Sequence, residues 1–375
     1  MYSLKVNEYG DLIKKCYDVK SPFYVYGGPG IGKSEIPRQV FPGIAKDMNR
    51  EYLEWTDITL EKKKECIANP DKYFIFCDQR VGQMDSTDLR GIPNLINSEM
   101  LETIPMSWVI YFTTIGAAGA IFFDELNLAA PVVAGQAYQI INERTIADRR
   151  LAPDVFVFGA GNRPGIDEAY CQPMPFPLRD RFNEFEVEAD SQSWAEWASG
   201  KINPHLVAFV CWKPSYLYKV DNKKANKSST PRGITRASML IGQDDATSNN
   251  AHALLSISVG EAFATEFQAY VKCYSQLNWK TIFGNPKCVE DMTVDKHWAI
   301  VGGLADRYNK IDKIDKGAHE LFDNIMSVLK CLPADFSIVG TKMIKDNGDI
   351  KKFKSLISKY KGLDDMVETL GKFVL

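Results

Sequence analysis

Short, strongly apolar runs alternate with longer amphipathic stretches through the first half of the chain. Four of these runs are rich in aromatic and β-branched residues, which is typical of buried strands. They are Phe23–Tyr26, Tyr73–Cys77, Ala120–Phe123 and Val155–Ala160. A fifth strand candidate is the strand-like segment Glu184–Val187. Because helical stretches separate them, the pattern predicts an α/β fold, in which a mainly parallel sheet is covered by helices on both faces.

From Ser191 onward the pattern becomes helical. The residues Leu321, Ile325, Met326, Val328 and Leu329 recur at helical spacing and predict a stripe that packs into a core. A polar stretch at 221–229 is typical of a loop. The lysine-rich stretch 351–361 is interleaved with apolar residues, which predicts an amphipathic helix with a solvated basic face.

One segment directly follows the first predicted strand and matches in full the phosphate-binding pattern G-x-x-x-x-G-K-S/T. Its residues are Gly27, Gly28, Pro29, Gly30, Ile31, Gly32, Lys33 and Ser34. The glycines allow backbone N–H groups to turn around an anion at the start of a helix, whose dipole favours negative charge. We expect Lys33 to reach the β- and γ-phosphates and the Ser34 hydroxyl to ligate Mg²⁺. The alternative is a chance glycine turn, which the preceding strand argues against.

Two acidic residues, Asp124 and Glu125, follow the third predicted strand. The carboxyl end of a buried strand in an α/β sheet is where ligands bind. Asp124 is therefore a candidate to hold Mg²⁺, and Glu125 a candidate to orient and polarise the water that attacks the γ-phosphate. Taken alone, such a pair would more often be a solvated strand end, but the phosphate loop favours catalysis.

Polar residues also surround the last two predicted strands. The fourth strand ends at Asn162, whose amide could bond both the γ-phosphate and the attacking water. Residues 161–165 are also rich in turn-forming types, and a turn there would present the Asn162 amide. Arg179 and Arg181 precede the fifth strand. Each is either a surface ion-pair partner or a guanidinium donated to a γ-phosphate, and the pattern leaves these alternatives open.

Composition narrows the setting. The net charge is −3, from 45 basic and 48 acidic residues, which argues against a general affinity for nucleic acid. The sequence contains no run of about 18 apolar residues, so it predicts no membrane span. The first residues lack the apolar core of a signal peptide. The eight cysteines form no C-x-x-C pair. Free thiols in a reducing compartment are the simplest account of them, so we expect a cytoplasmic protein.

Taken together, these motifs resemble the AAA+ ATPases, and within them the MoxR-like family. The stretch 84–93 resembles the family's D-L-x-G-I-P segment, and 121–127 its L-F-L-D-E-I-N strand. The stretch 179–182 is similar to its R-x-R-F ending. The sequence Thr230-Pro231-Arg232 resembles the S/T-P-R opening of the lid helix, whose arginine is the second sensor. A further likeness covers 190–205, so that the resemblance extends over most of the chain.

The resemblance implies three parts: an AAA+ nucleotide-binding core at 1–190 with an insert near 93–109, a helical lid at 191–280 and a helical region at 281–375. It also implies ATP and Mg²⁺ as ligands and a homo-oligomeric, hexameric ring with active sites between subunits. One subunit would supply Lys33, Ser34, Asp124, Glu125, Asn162 and Arg232. The neighbour would supply an arginine finger, for which Arg181 is favoured over Arg179. The insert would face the ring pore or a partner, or would be only a surface loop.

Two functions follow from these motifs. The first is a MoxR-like ATPase that hydrolyses ATP to remodel, load or activate a protein partner, such as one carrying a von Willebrand factor A domain. The alternative is a nucleic-acid-directed AAA+ ATPase of the clamp-loader or helicase kind. Nucleic acid would then stimulate hydrolysis in a strongly salt-dependent way. The acidic composition and the lack of a nucleic-acid-binding motif favour the first function.

Overall fold

The chain forms two compact units, Met1–Glu188 and Ala189–Leu375. The computed structural model describes residues 1–94, 96, 102–167, 171–174, 176–219, 228–242, 250–346 and 349–360. None of the helices within these ranges is long and apolar enough to cross a membrane.

Among the described residues, the first unit contains eleven strands and seven α-helices. Its strands are β1 (Ser3–Lys5), β2 (Phe23–Tyr26), β3 (Glu51–Glu54), β4 (Tyr73–Arg80), β5 (Ile92–Asn94), β6 (Glu102–Ile104), β7 (Ala118–Asp124), β8 (Thr145–Ile146), β9 (Arg149–Arg150), β10 (Asp154–Gly161) and β11 (Asn183–Glu188). Its helices are α1 (Val6–Asp18), α2 (Glu35–Asp47), α3 (Leu60–Ala68), α4 (Ser86–Arg90), α5 (Ser107–Thr113), α6 (Pro131–Glu143) and α7 (Phe176–Arg179).

Seven of these strands form one sheet in the order β1-β11-β2-β10-β7-β4-β3, and every neighbouring pair is parallel. All five predicted strands are present, as β2, β4, β7, β10 and β11. The prediction of a parallel α/β sheet with helices on both faces, followed by a helical part, is confirmed. The strands β1 and β3 were not predicted; both are short and lie at the two edges of the sheet.

The two faces of the sheet are packed differently. Along β10, Phe156 and Phe158 face α1 and α2, where they join an aromatic layer with Phe41 and Tyr17. The alternate residues Val155 and Val157 belong to the apolar core under α3, α5 and α6. Because successive side chains of a strand point to opposite faces, one continuous apolar run fills both layers. The sheet is therefore covered on both faces and exposes mainly its edges and strand ends.

The predicted insert at 93–109 contains an antiparallel hairpin formed by β5 and β6, and it ends within α5. Ile92 pairs with Ile104, and both side chains are more than half exposed. Residues 95 and 97–101 of this segment lie outside the described residues. A second antiparallel hairpin, β8 and β9, connects α6 to β10.

The second unit is helical. Its helices are α8 (Ser191–Ala198), α9 (Pro204–Trp212), α10 (Pro231–Ile241), α11 (Ala251–Val259), α12 (Glu261–Ser275), α13 (Trp279–Gly284), α14 (Val294–Asn309), α15 (Lys316–Cys331), α16 (Ala334–Lys345) and α17 (Ile350–Ile357). The predicted core stripe lies on α15, where four of its five residues are buried and Leu321 is partly buried. Residues 221–227 of the predicted polar loop, and the end of the lysine-rich stretch, lie outside the described residues.

His205 lies at the centre of the second unit, between α9, α12 and α14. Its Nδ1 atom is 3.0 Å from Tyr270 Oη, and its Nε2 atom is 3.9 Å from Asp306 Oδ2. Burial, together with the charges of Lys310 and Arg307, lowers the pKa of His205 to about 3. The imidazole is therefore neutral in the folded protein at neutral pH.

This burial predicts a pH dependence of stability. An unfolded histidine takes up a proton near pH 6.5, whereas folded His205 does so only near pH 3. As the pH falls below about 6.5, the unfolded state binds more protons, so the free energy of unfolding decreases. We expect a loss of about 2 kcal/mol from this group between pH 7 and pH 5. Urea unfolding at both pH values should show that His205→Gln reduces this loss. The matched change His319→Gln, at a less buried position, should leave it unchanged.

Candidate functional site

Three neighbouring strands of the sheet end beside one another. In the register of the sheet, Gly161 of β10 is opposite Tyr26 of β2, and Gly159 is opposite Phe123 of β7. The phosphate loop after β2, the acidic pair after β7 and the asparagine after β10 therefore lie together at the carboxyl ends of these strands. Ligands bind at the carboxyl ends of strands in open α/β sheets, so this edge is the candidate site.

The phosphate loop turns sharply before α2. Gly30 and Gly32 have φ angles of 77° and 108°, which glycine adopts without the strain that a side chain would add. The N–H groups of Glu35 and Ile36 both donate to Gly32 O, at 3.0 Å each, and so close the first helical turn. The loop therefore leads directly into the amino end of a helix, where backbone N–H groups favour an anion.

Lys33 is 8% exposed and lies across the phosphate loop. Its Nζ atom donates to Gly27 O at 2.5 Å, to Gly28 O at 3.1 Å and to Asn162 Oδ1 at 3.0 Å. The last bond joins residues that are 129 positions apart in the chain. The buried Tyr9 hydroxyl donates to Lys33 O at 3.3 Å. The predicted phosphate-binding cation and the predicted amide are thus brought into direct contact.

Ser34 and Asp124 meet in the same way. The Ser34 hydroxyl donates to Asp124 Oδ2 at 2.6 Å, and Asp124 Oδ1 accepts from the backbone N–H of Glu125 at 2.9 Å. A hydroxyl oxygen beside a carboxylate is a hard oxygen donor set of the kind that Mg²⁺ takes together with phosphate oxygens. These two residues therefore fit the predicted magnesium site.

Glu125 lies just beyond the end of β7, with a left-handed φ of 55°. A non-glycine residue in this region is uncommon, and strained backbone of this kind clusters at functional sites. Its carboxylate makes no hydrogen bond or ion pair with any of the described residues. The carboxylate is therefore available to a water molecule or a ligand, which agrees with the predicted role in orienting the attacking water.

Asn162 is 6% exposed, and its backbone as well as its side chain is bonded. Its N–H donates to Asn127 Oδ1 at 3.2 Å, and its carbonyl accepts from Asn127 Nδ2 at 2.7 Å. The turn predicted after β10 is also present, because the N–H groups of Ile166 and Asp167 donate to Arg163 O. Both interpretations of this segment are therefore compatible, since the turn follows an asparagine that faces Lys33.

None of the three predicted arginines contacts this cluster among the described residues. Arg179 and Arg181 belong to the first unit, and Arg232 belongs to the second. Arg179 Nε donates to Glu184 Oε2 at 2.8 Å in an ion pair, and its side chain is 49% exposed. Arg181 is exposed and forms no ion pair with the described residues. Arg232 is exposed on α10 of the second unit, in a helix that begins with Thr230 Oγ1 accepting from the N–H of Gly233. The roles of all three stay predictions.

An ion-pair network that was not predicted lies beside the phosphate loop. Arg38 of α2 bonds Asp78 Oδ2 at 2.6 Å, Glu54 Oε2 at 3.0 Å and Ser34 O at 3.1 Å. Burial raises the pKa of Asp78, and the charge of Asp124 raises it further, while Arg38 opposes both effects. The signal was present, because Asp78 follows the predicted strand Tyr73–Cys77 as Asp124 follows another. This network ties the start of α2 to β3 and β4.

Comparisons with known proteins found only solved structures of low similarity. No family model and no curated protein sequence matches the chain. A RuvB mutant from Thermotoga maritima is similar at 12% identity over 76% of this chain and 75% of that one, with a TM-score of 0.28. NtrX from Brucella abortus, in complex with ADP, is similar at 11% identity over 97% of this chain and 68% of that one, with a TM-score of 0.30. PCH-2 from C. elegans is similar at 11% identity over 71% and 68% of the two chains, with a TM-score of 0.28. TM-scores this low do not support any statement about function. The function must therefore be inferred from the residues of the site.

Proposed function

We propose that this chain is a MoxR-like AAA+ ATPase, which hydrolyses ATP with Mg²⁺ to remodel, load or activate a protein partner. One observation carries the proposal. Lys33 contacts Asn162 at 3.0 Å while the next residue, Ser34, contacts Asp124 at 2.6 Å. A phosphate loop, a carboxylate and an amide on three neighbouring strand ends can bind phosphates, hold Mg²⁺ and contact an attacking water, as ATP hydrolysis by this kind of site would need.

Each residue of the cluster has a distinct task in this proposal. Lys33 binds the β- and γ-phosphates, and in doing so exchanges its bonds with the loop carbonyls for bonds with phosphate oxygens. Ser34 and Asp124 hold Mg²⁺. When bound, this ion supplies positive charge against the β- and γ-phosphate oxygens. Glu125 orients the attacking water and takes its proton, and the Asn162 amide contacts the γ-phosphate and the water.

A ring of subunits completes the proposed site. Arg181 is exposed and unpaired among the described residues, whereas Arg179 is held by Glu184. An unpaired arginine is free to reach a phosphate on a neighbouring subunit, which supports Arg181 as the finger supplied in trans. Arg232 is proposed as the second sensor on the basis of its Thr230-Pro231-Arg232 context. The hexameric ring and a partner with a von Willebrand factor A domain rest on the motif resemblance.

Phosphate release by the wild-type protein tests this proposal. We expect Mg²⁺-dependent hydrolysis of ATP whose rate per subunit rises with protein concentration, because a neighbour completes each site. Addition of DNA or RNA should leave the rate unchanged. Hydrolysis that nucleic acid stimulates, and that falls steeply with salt, would instead support the nucleic-acid-directed alternative. No hydrolysis at any protein concentration, with purified protein that binds nucleotide, would contradict the proposed enzyme.

A further inference from the structure

We infer that Asn127 is a positioning residue for catalysis, because it sets the backbone of Asn162 and, through it, the amide that faces Lys33. The inference deepens the proposed function and rests on it. Asn127 lies in the turn after β7 and is 4% exposed. It is separated from Asn162 by 35 residues in sequence.

The Asn127 carboxamide engages the Asn162 backbone from both sides. Its Nδ2 atom donates to Asn162 O at 2.7 Å, and its Oδ1 atom accepts from Asn162 N–H at 3.2 Å. One carboxamide thus satisfies the donor and the acceptor of a single residue, as a neighbouring strand would. A buried backbone group that loses its partner costs about 1–3 kcal/mol, so this pair of bonds strongly favours one orientation of the residue.

The Asn162 backbone needs such a partner because it lies beyond the end of the sheet. The pairing of β10 with β2 ends at Gly161, and its pairing with β7 ends two residues earlier, at Gly159. Asn162 therefore has no ladder partner in the sheet. Asn127 takes the place of one, and its own carbonyl accepts from the N–H of Gln172 at 3.1 Å, which anchors the turn in place.

Gly161 makes room for this contact. A Cβ atom added at Gly161 would lie 2.3 Å from Asn127 Oδ1 and 2.0 Å from Tyr24 Oη. Only glycine allows the carboxamide and the buried tyrosine to approach the backbone this closely. The position before Asn162 is thus shaped for Asn127, and Asn162 Oδ1 in turn lies 3.0 Å from Lys33 Nζ.

A double-mutant cycle tests the inference, with Asn127→Ala, Asn162→Ala and the double variant compared by phosphate release. Small displacements at a reacting centre cost rate steeply, so we expect Asn127→Ala to lower kcat about 10- to 100-fold. Its affinity for ADP should change less than about threefold, because ADP lacks the γ-phosphate that Asn162 contacts. If Asn127 acts through Asn162, the double variant is no slower than Asn162→Ala. Effects that multiply, or an unchanged kcat in folded Asn127→Ala, would overturn the inference.

A matched control separates positioning from stability. Gln136 on α6 is also a buried carboxamide, 6% exposed, and donates to Ser86 Oγ. Gln136→Ala removes a comparable buried group from the same unit, so we expect it to lower the melting temperature without lowering kcat. An equal loss of kcat in Gln136→Ala would mean that general destabilisation explains the Asn127 variant.

Amide hydrogen exchange tests the contact without reference to catalysis. The Asn162 N–H donates to Asn127 Oδ1, and this bond should slow its exchange with solvent. We expect Asn127→Ala to raise the exchange rate of a peptide spanning 159–163 while α6 stays protected. Unchanged exchange would overturn the positioning contact. If the wild-type protein hydrolysed no ATP, the proposed function would fail, and the exchange rate would still decide whether Asn127 holds Asn162.

Discussion

Lys33→Ala should abolish nucleotide binding. Lys33 is the one predicted cation that the first unit brings into the cluster, where its Nζ atom makes three hydrogen bonds to loop carbonyls and Asn162. With ATP bound, the ammonium group would balance the charge of the β- and γ-phosphates. A charge-assisted hydrogen bond contributes about 1.5–3 kcal/mol, so the loss of two corresponds to roughly 10²- to 10⁴-fold in affinity. Titration with a fluorescent ATP analogue measures this directly.

The control for Lys33→Ala lies on the helix that follows the phosphate loop. Lys46 is exposed near the end of α2, and Lys46→Ala removes the same charge from a position outside the candidate site. We expect Lys46→Ala to bind nucleotide as the wild type does. Circular dichroism should confirm that Lys33→Ala is folded, because the variant leaves Asn162 Oδ1 and two loop carbonyls without their donor. Folded Lys33→Ala with wild-type affinity would contradict the assignment of the phosphate loop.

Glu125→Gln should bind ATP but hydrolyse it far more slowly. The substitution preserves the shape of a side chain whose carboxylate is unpaired among the described residues, so the fold and the nucleotide affinity should change little. A glutamine amide cannot accept the proton of the attacking water. General-base catalysis contributes about 10²- to 10⁴-fold, and we expect kcat to fall by a factor in this range. The exposed Glu61 of α3 offers the control Glu61→Gln, which should turn over normally. Normal turnover in Glu125→Gln would show that the catalytic assignment is wrong.

The same variant tests assembly, because it holds ATP without consuming it. Light scattering of Glu125→Gln with and without Mg-ATP should show growth from a monomer to a ring-sized particle only with nucleotide. If a ring forms, Arg181→Ala introduced into the otherwise wild-type chain should lower the rate of hydrolysis, and Arg179→Ala should lower it less. A particle that stays monomeric would argue against active sites shared between subunits.

Four of the five predicted strands are buried on both faces, and in the fifth, β11, only alternate residues are buried. Runs such as Phe23–Tyr26 and Val155–Ala160 are apolar at every position, because a central parallel strand packs against helices on either side. The two strands of the seven-stranded sheet that were not predicted, β1 and β3, lie at its edges. Glu51–Glu54 begins and ends with a carboxylate and is only partly buried, so its sequence carries no such run. Its pairing with β4 alone makes it a strand, and pairing is not visible in one segment.

The candidate site likewise contains residues that the sequence predicts and contacts that only the structure reveals. Residue type and spacing were sufficient to predict the phosphate loop, the acidic pair and the asparagine, since each follows an apolar run that ends in ligand-binding residue types. Spacing does not predict that Arg38 bonds to Asp78, or that Asn127 bonds to Asn162, because the two partners of each pair are far apart in the chain and meet only in the folded sheet.

By itself, the sequence determined the fold class of the first unit and the positions of its buried strands, together with the residue types available for phosphate and metal binding. These properties are local, because they depend on apolar periodicity and on the conformations that glycine allows. Only the tertiary structure decided the strand order, and with it which strand ends are neighbours. Lys33 meets Asn162 and Ser34 meets Asp124 because β2, β10 and β7 lie side by side, an arrangement set by the packing of the whole sheet.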